Sequence, residues 1–269
     1  MNARIAIIVS TYNWPEALEL SVRSMLCQTI PPDEIIIADD GSGESTRQVV
    51  DALMKESTIP IRHIWHEDEG FRLGEIRNKA IATAEADYII QVDGDCILER
   101  HFVQDHISLA ETGFFVCGSR VSLPEEESLR LLDKSGTTCT ADVHVGLDNP
   151  SYTNSLRIAL LRKFLAQRYG REIEHCRGCN MAFWRSDLIR INGYDEDMKG
   201  WGHEDHELAW RLRFAGVRKK FLKFGGVCYH LYHKEVSRDS ESKNCEVFKH
   251  TRENKVARCK NGLDKHMGK

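Results

Sequence analysis

The sequence predicts an α/β fold, a wound parallel sheet with helices on both faces. Three observations predict it. Short β-branched apolar runs recur through the first third of the chain, helix-patterned stretches separate them, and the segments after the runs are rich in acids and hydroxyls. Strand, crossover helix, strand, repeated at this spacing, sets parallel strands between two helical layers. A chain of 269 residues suits one large domain of this class and can bury a substantial core.

RIAIIVS is the first strand, and the turn TYNWPE follows it. In EALELSVRSMLCQ, Ala17, Leu20, Ser24 and Cys27 share one helical face, with Leu18, Val22 and Met25 beside it. PPD breaks the chain, and EIIIADDGS is a second buried strand ending in acids and a turn. TRQVVDALMKE reads as a helix, IRHIWHE as a third strand, GEIRNKAIATA as a third helix and DYIIQVDGD as a fourth strand. Ligands of such sheets bind beyond the carboxyl ends of the strands, which directs attention to Ser10–Asn13, Asp39–Ser42, Glu67–Gly70 and Asp93–Asp95. After residue 113 the pattern is less regular. FFVCGSRVSL reads as one strand, SLRIALLRKFLAQRYG as a helix closed by Gly170, and KKFLKFGGVCYHLYH as strands. A single domain is expected, with a nucleotide half over about 1–112, an acceptor half over about 113–235 and a basic tail over 236–269.

Composition excludes several classes. A net charge of −4 gives no drive toward nucleic acid, and no apolar run is long enough to span a bilayer. IAIIV is too short for the apolar core of a signal peptide and lacks a cleavage site, which points to a cytoplasmic protein. Nine scattered cysteines then read as free thiols, and the lone CxxC of Cys176 and Cys179 has no second pair to complete a zinc site. From Lys249 the tail carries seven Lys or Arg against two acids. It reads as a solvated helix face, with weak peripheral contact at the inner membrane surface as the alternative.

Several clusters carry chemistry. In VDGD, Asp93 and Asp95 follow a buried strand at i and i+2, so an extended backbone points both carboxylates the same way. Such a pair suits Mg2+ or Mn2+ holding a diphosphate, although an acidic turn also looks like this. Asp39 and Asp40 end another strand and can serve a base or ribose hydroxyl, one of them being expected to form an Asx-turn. Arg77 falls early in a helix behind Gly70 and Gly74, where its fork can reach phosphate or pair with a neighbouring acid. In GWGHEDHELAWRLRFAG, Asp205 lies on the stripe of Leu208, Leu212 and Ala215, which aims it along the buried face toward a cleft. Acids in a first helical turn are stabilised by the helix dipole, and a carboxylate kept ionised there can act as a general base. Gly216 is placed to end this helix, and GWG supplies an aromatic face for a sugar ring. His230 and His233 stand three apart after a strand-like run, and either can complete a metal site.

IIVSTYN, IIIADDGS, GEIRNKA and YIIQVDGDC, in that order, resemble the family 2 glycosyltransferases, whose GT-A fold is a Rossmann-like wound mixed sheet with helices on both faces. RGCNMAFWRSDLIRINGYDEDMKGWGHEDHELAWRL is similar to the C-terminal region of β-1,4-galactosyltransferases and of chondroitin-polymerase modules. The resemblance covers about residues 4 to 235. It implies an inverting, Mn2+- or Mg2+-dependent hexosyltransferase moving sugar from a UDP-sugar to a glycan or lipid-linked oligosaccharide. Thr11, Tyr12, Asn13 and Asp40 would line the nucleotide pocket, Asp39 would contact uracil or ribose, and Arg77 would lie near the phosphates. Asp95 would be the direct metal ligand, with Asp93 nearer the ribose or the metal. His233 would be favoured over His230 as a further ligand, because SRDSESKN after it resembles the segment after the metal histidine of the galactosyltransferases. Asp205 would be the base, with Trp201, Gly202 and Glu204 at the acceptor, while His206 stands at a normally acidic position. The rival readings are a non-catalytic sugar-nucleotide-binding protein, which would be free to lose Asp205, a sugar-nucleotide pyrophosphorylase, which would need a GxGxR loop not found here, and a retaining transferase, for which the acid pair would be surplus.

Overall fold

Strand β1 (Ile5–Thr11) sends Ala6 and Ile8 into one core and Ile7 and Val9 into another, so it is apolar from Ile5 to Val9 and turns polar only at Ser10 and Thr11. The chain continues through α1 (Pro15–Leu26), β2 (Glu34–Asp39), α2 (Glu44–Glu56), β3 (Ile61–Trp65), α3 (Leu73–Thr83) and β4 (Tyr88–Asp93). These are the strands and helices anticipated for the first third. The computed structural model describes residues 3–133, 143–234 and 241–268. Then follow β5 (Cys96–Leu98), α4 (Phe102–Leu109), β6 (Phe114–Gly118), β7 (Val121–Ser122), α5 (Glu125–Leu132), α6 (Ala159–Tyr169), β8 (Met181–Trp184) and α7 (Arg185–Ile191). The last elements are α8 (Glu204–Phe214), β9 (Arg218–Leu222), β10 (Cys228–His230) and α9 (Glu241–Glu253).

Seven strands form the main sheet in the order β3-β2-β1-β4-β8-β6-β9. The first four are mutually parallel, and β8 runs antiparallel to both β4 and β6, so the sheet is mixed. Helices α3, α7 and α8 cover one face, and α1, α2 and α4 cover the other. A smaller sheet, β5-β10-β7, sits over the cluster of Ala17, Leu20, Ile97, Leu123, Leu131 and Leu231.

Several expectations need correction. FFVCGSRVSL is two strands in different sheets. Gly118 is the last residue of the main-sheet strand: its N–H donates to the Asn180 carbonyl, and the Asn180 side chain packs where a Cβ at 118 would stand, at 2.4–2.6 Å, so the position requires glycine. The C-terminal segment is not a loose basic tail, because Phe248 and Thr251 of α9 are buried and Leu263 belongs to the core beside α3. Several of its cations are paired, Arg252 with Glu174, Arg258 with Asp264 and Lys265 with Glu196. Among the described cysteines seven carry free thiols, but Cys27 is disulfide-bonded. It caps α1 with its side chain only partly covered, where spatial reach rather than sequence spacing decides pairing. Cys139 and the segment 237–240, part of the SRDSESKN resemblance, lie outside the described residues. Cys176 and Cys179 belong to opposite cores and share no site. Among the described residues no helix is long and apolar enough to cross a membrane.

Helix α8 is fixed by a buried ion pair. Glu207 and Arg211 are both fully buried, and the guanidinium donates to both carboxylate oxygens at 2.7–2.8 Å. Arg211 also donates to the Ile191 carbonyl at the end of α7, and Thr251 of α9 donates to Glu207 at 2.9 Å. Three helices therefore meet at one pair. Replacing Glu207 with Ala leaves an uncompensated buried charge, and the expected loss is about 3–5 kcal/mol. Urea unfolding should show a lower midpoint with an unchanged slope.

Candidate active site

In neighbouring strands Ser10 pairs with Asp93 and Thr11 with Asp39, so these strand-end residues share one level. Beyond the sheet edge opens a cleft of about 920 Å3, lined by Thr11, Tyr12, Asn13, Asp40 and both acids of DGD, and also by Glu204 and Asp205 of α8. Gly94 makes the acidic turn possible, because a Cβ there would meet the Ser10 carbonyl at 2.9 Å.

Arg77 joins the two sides of this cleft. It is 1% exposed. Its fork donates to Asp93 Oδ1 at 2.9 Å and Asp205 Oδ1 at 3.3 Å, and its Nε donates to Ser10 Oγ at 3.1 Å. The guanidinium also lies over the Tyr194 ring, 5.2 Å from its centroid. Burial keeps the Tyr194 phenol protonated, and it donates to Gln91 Oε1 at 2.8 Å. Asp205 takes a further bond at 2.6 Å from the Gly178 N–H, and only glycine fits, since a Cβ would meet the carboxylate at 2.5 Å. Arg77, expected beside the phosphates, thus has its fork taken up by protein groups.

The turn ahead of α8 explains its glycines. Gly200, Gly202 and His203 have φ of 75°, 117° and 69°, left-handed conformations that glycine adopts without strain. This turn sets Trp201 at the cleft, and the Gly202 N–H donates to Glu204 Oε2 at 3.1 Å. Removal from water, and then the neighbouring Asp205 charge, push Glu204 up to about 7.

A second cluster lies at Asp95. The His230 and His233 Nε2 atoms each approach Asp95 Oδ2 at 3.3 Å. The backbone arranges this, because β10 pairs antiparallel with β5, His230 opposite Cys96, and the Leu231 N–H donates to the Asp95 carbonyl at 2.9 Å. The Nδ1 of His233 bonds the Lys234 carbonyl at 2.8 Å as a donor, which leaves Nε2 as the lone-pair nitrogen. Burial pushes His230 down, toward the neutral form that binds metal. One carboxylate and two imidazoles fit Mn2+ by donor chemistry. Both histidines, taken from sequence as alternatives, reach Asp95, while Asp93 stands outside the trio with Arg77.

Asp39 and Asp40 are held by the protein. Asp39 is buried, accepts the N–H of Ser42, three residues on and so one beyond the Asx-turn spacing, at 2.8 Å, and meets His63 Nε2 at 2.9 Å. Asp40 meets His66 Nε2 at 2.7 Å and accepts the Arg72 N–H at 2.9 Å, while still lining the cleft. Tyr12 is half exposed and donates to Asp68 at 2.8 Å, and Asn13 accepts the Gly43 N–H at 2.9 Å. Sequence reasoning missed Gly178 and Tyr194, and also Arg120, which lines the cleft. The first two sit in RGCN and NGYDE, inside the quoted resemblance, yet nothing in their spacing marks them as partners of Asp205.

The chain matches two family descriptions, "Glycosyl transferase family 2" over residues 6–191 and "N-terminal domain of galactosyltransferase" over residues 160–234. It is 26% identical to the chondroitin synthase of Pasteurella multocida over 85% of this chain and 25% of that protein, so it spans a quarter of that relative's length. Among solved structures, S. aureus TarS 1–349 in complex with UDP superposes with a TM-score of 0.61 at 17% identity, covering 91% of this chain and 64% of the other. The mannosyltransferase PcManGT of Pyrobaculum calidifontis, in complex with GDP-Man and Mn2+, gives 0.60 at 18% identity, covering 87% and 59%. These likenesses establish the GT-A fold, and the match over 6–191 places the chain in glycosyl transferase family 2, to which it belongs.

Proposed function

We propose that the chain is an inverting, divalent-cation-dependent transferase that moves a hexose or N-acetylhexosamine from a UDP-sugar to a hydroxyl of a glycan or lipid-linked acceptor, forming a β-linkage. One observation carries the proposal. Arg77 ties Asp205 to the same cleft edge as the DGD turn, so a proton acceptor and a cation site flank one space.

Asp95, His230 and His233 would hold Mn2+ or Mg2+, which when bound neutralises charge developing on the departing diphosphate. Thr11, Tyr12 and Asn13 would border the nucleotide, and Trp201 with Gly202 the acceptor. Asp205, oriented by Arg77 and the Gly178 N–H, takes the proton of the attacking hydroxyl on the face opposite the leaving group. Glu204 stands beside it and positions the acceptor, an orientation effect. No covalent nucleophile is required, and the anomeric centre inverts once.

Incubation with a panel of UDP-sugars and Mn2+, followed by measurement of released UDP, tests the activity. Chelation with EDTA should abolish release and added Mn2+ should restore it, whereas Asp95→Ala should stay inactive at any Mn2+ supplied. Asp205→Asn should keep UDP and Mn2+ binding but lower transfer by about 10²–10⁴-fold, the usual weight of a general base. Normal turnover by that variant would move the base elsewhere.

The raised Glu204 also predicts a pH dependence. The folded chain keeps this proton up to about 7, while the unfolded chain releases it near 4.5. Between those values the folded state binds more protons, so stability should fall as pH rises from 5 to 8. Thermal melts of the metal-free protein should show this fall, and Glu204→Gln should flatten it.

A further inference from the structure

A smaller cavity of about 240 Å3 adjoins the cleft, and Arg120 and Arg177 line both spaces. Its other polar walls include Lys223, His175, Ser122 and Asn154, and no carboxylate among the described residues lines it. That composition is unusual for this chain, which carries a net charge of −4. Arg23, Arg72, Arg77, Arg157, Arg162 and Arg211 all have carboxylate partners. By contrast, neither the half-buried Arg120 nor the exposed Arg177 has a hydrogen-bond or ion-pair partner for its guanidinium among the described residues. Lys223 reaches only the amide oxygen of Asn154, at 3.4 Å.

Behind this wall sits another cation. Lys219 is 5% exposed, and its ammonium donates to the carbonyls of Glu172, Ile173 and His175 rather than to an acid. The positive field acts on His175, which is pushed down first by burial and then by Lys219, Arg177 and Lys223. Arg120 is drawn toward Asp93 and Asp95 of the main cleft, whereas Arg177 and Lys223 form no ion pair among the described residues. Cations gathered with so little counter-charge around a concave site repel one another until an anion arrives.

We propose that this cavity is an acceptor subsite for a sugar unit bearing an anionic group, a carboxylate or a phosphate. The assignment rests on reading the main cleft as a sugar-transfer site. Two observations favour the acceptor over the donor. The cavity is lined only by residues between 119 and 223, and none of the strand-end segments Ser10–Asn13 and Asp93–Asp95 reaches it. Its volume also falls below the roughly 300–1,000 Å3 of pockets that enclose whole drug-sized ligands, so it suits one charged sugar ring and not a nucleoside diphosphate. Arg120 and Arg177, at the shared wall, would set that ring next to the hydroxyl that Asp205 deprotonates.

Calorimetric titration, with UDP and Mn2+ saturating, can compare methyl β-glucuronide, methyl β-glucoside 6-phosphate and neutral methyl β-glucoside. At least one anionic glycoside should bind about tenfold tighter than the neutral one, the weight of one charge-assisted hydrogen bond, and the stronger of the two identifies carboxylate or phosphate as the group read. The double variant Arg177→Ala/Lys223→Ala should lose the preference while keeping its melting temperature and UDP affinity, and Lys223→Arg should retain it. Equal binding of all three glycosides, or a preference that survives in the double variant, would overturn the proposal while leaving the transferase reading intact if UDP still binds. Failure of UDP with Mn2+ to bind, alongside an anion preference that the double variant loses, would instead overturn the transferase reading and with it the cavity's acceptor role, leaving only an anion site.

Discussion

A single buried guanidinium holds this molecule's two halves to one purpose. Arg77 comes from α3, and through it Ser10 of β1, Asp93 of β4 and Asp205 of α8 meet at one point. A charged group this deep is strongly unfavourable without partners, and two carboxylates this close repel without a cation between them. Each partner therefore requires the others. Tyr194 covers the guanidinium face, and its phenol anchors on Gln91, a residue of β4. The cleft that results has a fixed separation between the sheet edge and the start of α8.

That separation gives meaning to the parts around it. Gly178 has no side chain because the Asp205 carboxylate occupies the space one would fill. The left-handed turn from Gly200 to His203 delivers Trp201 and Glu204 to the same opening. On the opposite side, pairing of β10 with β5 carries His230 and His233 to Asp95. The buried pair of Glu207 and Arg211, one turn into α8, keeps the helix from shifting and so keeps Asp205 in place. Packing and site chemistry are thus one network, with the cavity lined by Arg120, Arg177 and Lys223 opening beside it.

Much of this was legible in the sequence because it follows local rules. Short β-branched apolar runs and helical patterns marked the first four strands and three helices, and the i, i+3 stripe correctly placed Asp205 with the buried Leu208 and Leu212. Gly216 ends its helix at φ 85°, as its position implied. The DGD turn was visible as acids at a strand end. What escaped depends on distance in space. Nothing local to Arg77 distinguishes a phosphate-facing fork from one closed around protein carboxylates, since its partners lie 16 and 128 residues away. Short helices such as α4 and α7 lack long periodicity, and the C-terminal segment looked solvated because its buried side chains, among them Asn244, Phe248, Thr251, Cys259 and Leu263, are widely spaced. The disulfide at Cys27 escaped for the same reason.

The clamp itself can be tested by turnover of Arg77→Lys at saturating donor and Mn2+, in protein shown to be folded. Lysine keeps the charge but cannot fork to Ser10, Asp93 and Asp205 together. If the guanidinium sets the position of the proton acceptor, acceptor-dependent UDP release should drop about 100-fold, the cost of a reacting group displaced by about 1 Å. Turnover within about twofold of the parent chain, well inside that expected loss, would mean that Asp205 finds its place without the clamp.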